Sequence, residues 1–324
     1  MAIYILLSLI TALYSEISVQ ARSKIIRGFC VFIVIVIPSL IYALRYGIGT
    51  DYFIYKSFFD KSPIVGFDSR LEWGYVLINL VVHKLNGNVE IVFFIVSLIM
   101  MSFIYFGAKY YSKSISVGVA MFSYMMLYYQ MSFNAVRQGV AMAVCFYSFR
   151  YIHERKLIKF LICILIASSF HKSAFLVLPF YFLYYLLEKE GGKEIKKFFI
   201  YLLMMVFVLN IDKLLPPILI RVPVLSNYTN YLQNDSSDFS LGLFSRYIPF
   251  LVVGLYLCKY IEKKDNIYPF LISIYISSLI LKLTGLVGAK YINRIAWNLE
   301  IVLILIIAYS AKAFIKRREL FASL

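Results

Sequence analysis

Three side chains within residues 132–139 have the chemistry of an anion site: Asn134, Arg137 and Gln138. At i, i+3 and i+4 they share one face of a helix, where a planar guanidinium and two amides can read an oxyanion or a phosphate. The flanking apolar runs, 115–133 and 140–152, are long enough to enter a bilayer. An arginine between them cannot face lipid, because desolvating an isolated guanidinium costs several kcal/mol. It must face protein, water or an anion. A topogenic or snorkelling arginine at a helix end is the structural alternative for this position.

The elements that must hold these residues are membrane helices. A chain of 324 residues that is 62% hydrophobic and 15% charged, with apolar runs from end to end, is a polytopic helical membrane domain. A net charge of +16 would suggest nucleic acid in a soluble protein. Here the basic residues lie in short connections between apolar runs, so they signal topology, and the expected surroundings are a lipid bilayer with no nucleic acid. Cys30, Cys145, Cys163 and Cys258 all sit inside apolar runs without a C-x-x-C spacing. Neither a disulfide framework, a metal cluster nor a cofactor is expected.

Taken in order, the first run (2–16) lacks a basic leader and a small-residue cleavage site, so it reads as a retained helix. The basic connection 20–27 is placed in the cytoplasm, which puts the N-terminus outside. Helix 28–44 carries Pro38 and delivers the chain to an outer segment, 45–90, with an amphipathic helical piece. Within that segment 71–85 is short of the roughly 20 residues needed to span. Glu72, Tyr75, Asn79 and His83 form a polar stripe along it, and a crossing there would put every later basic loop outside. It reads as a re-entrant or half-helix. Helices at 91–108, 115–133, 136–152, 157–170, 173–187 and 197–211 alternate after it. An outer loop, 212–242, precedes the last three, at 243–260, 267–284 and 294–312. The expected fold is all-α, a single domain over 1–324 with about 11 spanning helices and no inverted repeat. Most of the 33 Lys and Arg residues then fall inside.

With that topology the outer face collects Arg45, Asp51, Glu72, Asn134, Arg137, Gln138, His171, Arg246, Asn293 and Arg294. Four guanidiniums exceed what Asp51 and Glu72 can neutralise, so a polyanionic group such as a phosphate is implied. Interfacial anchors and structural salt bridges are the alternative. Arg137 is the first choice for the anion, with Arg45, Arg246 and Arg294 in support. His171, Glu72 and Asp51 are the candidates to move a proton. Glu300, on the face of the last helix that carries Asn293 and Trp297, is expected to be a buried partner of another helix. Tyr228, Tyr231, Phe239 and Phe244 flank the outer loop and could stack on sugar faces.

The ordered set of Ala43–Arg45, Gly49–Tyr52 with Tyr55, Glu72–Tyr75, Asn134–Gln138 and Phe170–Ala174 resembles the EpsG family, Wzy-like polysaccharide polymerases of bacterial envelopes. The resemblance covers roughly 1–180, with a looser match around Arg294. It implies a GT-C-like membrane glycosyltransferase at the periplasmic or outer face of the cytoplasmic (inner) membrane. The donor would be an undecaprenyl-diphosphate-linked oligosaccharide and the acceptor a second lipid-linked unit, joined without a metal. The product would be O-antigen, capsule or exopolysaccharide, and a chain-length-regulating co-polymerase is a further candidate partner. Carried onto this chain, it marks Arg45, Asp51, Glu72, Arg137 and His171 without saying which is the base. Two rivals use similar residues: a flippase of the same lipid-linked oligosaccharide, and a membrane acyltransferase using His171.

Overall fold

Tyrosines from separate helices, reaching for backbone carbonyls, organise the centre of the chain. The computed structural model describes residues 2–68, 71–189, 242–258, 267–287 and 296–322, and every regular element among them is helical. α1 (Ala2–Gln20) and α2 (Lys24–Ala43) are almost unbroken apolar runs that pack on each other. α3 (Tyr52–Val65) and α4 (Trp73–Lys84) follow as shorter helices. α5 (Val89–Tyr110) lies between α2 and α7 (Val136–His153). Its buried Val92, Phe93, Val96, Met100, Ile104 and Tyr105 recur at helical spacing and supply the centre of the core.

Residues 115–133 do not form the single helix expected. α6 (Val117–Tyr124) gives way to one π turn, Met125–Tyr129, and then to a 3₁₀ turn, Met131–Phe133. Side chains that compete for the backbone explain the break. The Tyr129 hydroxyl donates to the carbonyl of Pro38 at 2.6 Å, and Ser132 Oγ donates back to the Tyr129 carbonyl at 2.6 Å. Tyr42 of α2 then donates to the Ser132 carbonyl at 2.9 Å. These bonds tie the irregular stretch to α2, and a π bulge is a frequent device where a helix must present unusual groups.

α8 (Leu157–Ser168) returns against α7 and leads into a 3₁₀ turn, Lys172–Val177, and α9 (Leu178–Lys189). α10 (Gly242–Cys258), α11 (Ile267–Val287) and α12 (Leu303–Ala322) complete the described helices. The chain divides into two compact units, Met1–Leu178 with Ile304–Leu324, and Pro179–Leu303. In the second unit Lys282 of α11 forms an ion pair with Glu300, and both side chains are buried. Glu300 is therefore the helix-to-helix partner its position suggested.

Four helices among the described residues are long and apolar enough to cross a membrane: Ala2–Gln20, Lys24–Ala43, Val89–Tyr110 and Ala296–Ile315. α3 appears where the amphipathic piece of the outer segment was expected. α4 has 12 residues, about 18 Å at 1.5 Å per residue and too short for the roughly 30 Å hydrocarbon core. The expected helix at 197–211 and the loop at 212–241, with Tyr228, Tyr231 and Phe239, lie outside the described residues.

Candidate functional site

Glu72 stands at the N-cap of α4 in extended conformation, yet its carboxylate caps no amide of its own helix. It reaches out of α4 instead. Oε2 takes Nη1 of Arg137 in an ion pair, and Oε1 accepts from the backbone amide of Lys172 at 3.4 Å. Glu72 is 8% and Arg137 23% exposed, so the pair is shielded but open on one side. Arg137 lies in the first turn of α7, at the positive end of that helix dipole, where a cation is disfavoured and an anion welcome. Glu72 itself is the N-cap residue of α4, so the negative charge also lies at the positive end of that helix. Glu72 supplies the negative charge that two helix N-termini and a guanidinium demand together.

Local backbone chemistry brings these pieces into register. The Gly74 amide donates to the Ser169 carbonyl at 2.8 Å, which docks the start of α4 on the turn after α8. A β-carbon at Gly74 would lie 2.5 Å from Ser169 Oγ and 2.8 Å from Ser169 O, so only glycine permits the approach. At the start of α7, Ala135 has no side chain to cap with. Tyr55 of α3 does the work, its hydroxyl accepting from the Val136 amide at 3.1 Å and bonding with Arg137. Burial pushes the Tyr55 phenol up, with Arg137 opposing and Asp51 adding to the rise. Asp51 is the N-cap residue of α3 and accepts from Thr50 Oγ1 at 3.1 Å. A polar chain thus runs from Tyr55 through Arg137 to Glu72 and the Lys172 amide, with the charge of Asp51 felt at Tyr55.

His171 adjoins that amide and caps the 3₁₀ turn. Its Nδ1 lies 2.7 Å from Ser173 Oγ and accepts from the Ser173 amide at 3.3 Å. The neutral ring therefore carries its proton on Nε2, with the basic nitrogen turned into the turn. Its tautomer is decided by a local bond that spacing alone does not reveal.

Arg45 occupies different ground. It is 2% exposed, with the guanidinium carbon 4.4 Å from the ring centroids of Tyr42 and Phe93 and 4.7 Å from that of Phe133. Nη1 donates to the carbonyls of Ile48 at 3.1 Å and Phe133 at 3.0 Å. Arg45 ties the loop before α3 to the turn before α7, inside an aromatic box. Gly49, at φ +99°, completes that junction, since a β-carbon there would meet Asn134 Oδ1 at 2.8 Å and Arg45 Nη1 at 3.3 Å.

The expected face of Asn134, Arg137 and Gln138 needs a correction. α7 begins at Val136, and Asn134 belongs to the preceding turn, because Arg45 and Tyr55 claim the backbone on either side of Ala135. Asn134 is exposed and Gln138 is buried, 4% exposed. The structure brings together Glu72, Arg137, Tyr55 and the 171–173 turn, with Asp51 linked through Tyr55. Arg294 lies outside the described residues, as does the side chain of Arg246. Tyr55 was legible only as part of a motif; its role as a surrogate cap required the fold.

An all-helical membrane protein with a shielded arginine–carboxylate pair between helix N-termini is the class so defined. The EpsG family model matches residues 28–322, and the chain belongs to that family, the Wzy-like exopolysaccharide polymerases. Comparison with curated proteins and with solved structures gives no match.

Proposed function

We propose that this protein is a membrane polysaccharide polymerase that joins undecaprenyl-diphosphate-linked oligosaccharide units at the outer face of the bacterial cytoplasmic membrane, without a metal. The observation that carries the reading is the Glu72–Arg137 pair at two helix N-termini, a place built for an anion and held by a carboxylate. The arriving diphosphate replaces Glu72 on Arg137, since a group of higher charge and bidentate geometry competes well for a guanidinium. That exchange frees the Glu72 carboxylate beside the acceptor.

The acceptor hydroxyl then bonds to the anomeric carbon as the bond from that carbon to the diphosphate oxygen breaks. The hydroxyl proton passes to Glu72, and the leaving diphosphate keeps the bonding electrons. Arg137 and the positive helix ends stabilise the charge that grows on the leaving group, in a site with restricted water. Glu72 is preferred over His171 as the base because Nδ1 of His171 already accepts from the Ser173 amide, which leaves His171 to hold the turn that presents the Lys172 amide. Asp51 acts through Tyr55 on Arg137. Arg246, Arg294, Asn134 and Gln138 remain candidates for the diphosphate. The reading includes a bundle of about 11 spanning helices with a GT-C-like arrangement.

The test is an envelope-glycan assay in cells. Arg137→Ala should abolish long polymer while single lipid-linked units are still made and translocated. Normal chain length in that variant discards the reading; loss of translocated units points to a flippase.

A further inference from the structure

α3 and α4 enclose a cavity of about 360 Å³, within the roughly 300–1,000 Å³ of ligand sites. Phe58 and Val65 of α3 face Leu71 and Val76 across it. Of the polar residues in its wall, Ser62 Oγ donates to the Phe59 carbonyl at 2.7 Å and Asn79 Nδ2 to the Tyr75 carbonyl at 2.7 Å, while the buried Asn79 Oδ1 accepts no hydrogen bond among the described residues. What the cavity offers is mainly hydrocarbon, with Asn79 at the far end of the wall on α4 and the exposed Lys61 at the edge.

Two relationships say what kind of molecule enters. The surface beside the cavity is apolar although neither helix is of spanning length, with Ile64 87%, Phe67 60% and Trp73 60% exposed. Such a surface is at home against lipid. Leu71, in the wall, is the residue before Glu72, so the hydrocarbon space begins beside the ion pair and runs along α4 to Asn79, roughly 10 Å at 1.5 Å per residue. A charged head at Arg137 with an apolar chain leading away along α4 has the dimensions and polarity order of a lipid diphosphate.

We infer that the α3–α4 cavity receives the hydrocarbon chain of the lipid diphosphate whose head meets Arg137. The inference rests on the polymerase reading. The probe is farnesyl diphosphate with a diazirine on its terminal isoprene unit, irradiated with the full-length protein in phospholipid nanodiscs. Adducts are expected on Phe58, Val65, Leu71 or Val76, displaced by undecaprenyl diphosphate and not by added phospholipid. Val65 is 40% exposed, so Val65→Trp should fold normally, block the mouth, and cut labelling at least tenfold. Val76→Ala, which enlarges the cavity, should keep it.

Adducts elsewhere, unchanged labelling in Val65→Trp, or equal displacement by phospholipid would each overturn the inference, the last showing a bilayer acyl-chain site. Polymer formation from purified lipid-linked units, followed in the same nanodiscs, separates the two readings. Val65→Trp with an unchanged donor KM removes the chain site and leaves the polymerase. Wild-type protein that labels as expected but makes no polymer leaves the chain site and removes the polymerase.

Discussion

Glu72 and Arg137 meet from the first turns of two different helices, and the carboxylate of Glu72 holds the Lys172 amide with its other oxygen. One side chain thus joins α4, α7 and the turn after α8. If the pair is structural as well as functional, exchanging the two charges separates the roles. Glu72→Ala should cost roughly 3 kcal/mol, the lower end for a broken shielded pair, because Arg137 keeps some water access. The double variant Glu72→Arg with Arg137→Glu should regain most of the melting temperature in detergent yet form no polymer. Polymer from the exchanged pair would refute the assigned roles.

Gly74 is the next place to look. A methyl group there must push Ser169 away, so Gly74→Ala should destabilise by about 1–3 kcal/mol. It should also shorten polymer more than its loss of folded protein explains, because it moves Glu72 relative to Lys172. Chain length normalised to folded protein decides; a change in stability alone would confine Gly74 to packing.

Arg45 separates charge from shape. Cation–π contacts are worth about 2 kcal/mol when desolvated, and a lysine cannot lie flat against three rings while reaching two carbonyls. Arg45→Lys should therefore lower the melting temperature nearly as much as Arg45→Ala, with donor KM unchanged in the folded fraction. A raised KM in Arg45→Lys at unchanged stability would instead put Arg45 on the diphosphate.

Lys282 and Glu300 form a buried pair, and removing one member of such a pair is costly. Lys282→Met and Glu300→Leu should each destabilise by roughly 3–5 kcal/mol, and the double variant should recover most of that loss. Thermal melts of the three variants complete a double-mutant cycle. Additive losses would show that the two side chains do not depend on each other.

Much was legible from residues alone because a bilayer imposes long apolar runs and leaves few acceptable places for charge. Arg137, Glu72 and His171 stood out as polar residues where lipid-facing ones were expected, and Glu300 as a buried partner of another helix. Spacing also foretold a short helix at 71–85, found at Trp73–Lys84, and a helical piece before it, found at Tyr52–Val65. It failed at 125–135, where a helix was drawn through a π turn and a 3₁₀ turn, because hydroxyls of Tyr42, Tyr55 and Tyr129 draw on backbone groups far away in sequence.

The sequence by itself determined that this is a helical membrane protein carrying an excess of basic residues, since hydropathy and charge are properties of single residues and short windows. Only the tertiary structure decided what Arg45 and Arg137 each touch. Arg45 turns into an aromatic box and Arg137 toward a carboxylate, because their surroundings are assembled from α2, α3, α4, α5 and α7, and no local pattern encodes which of those elements meet.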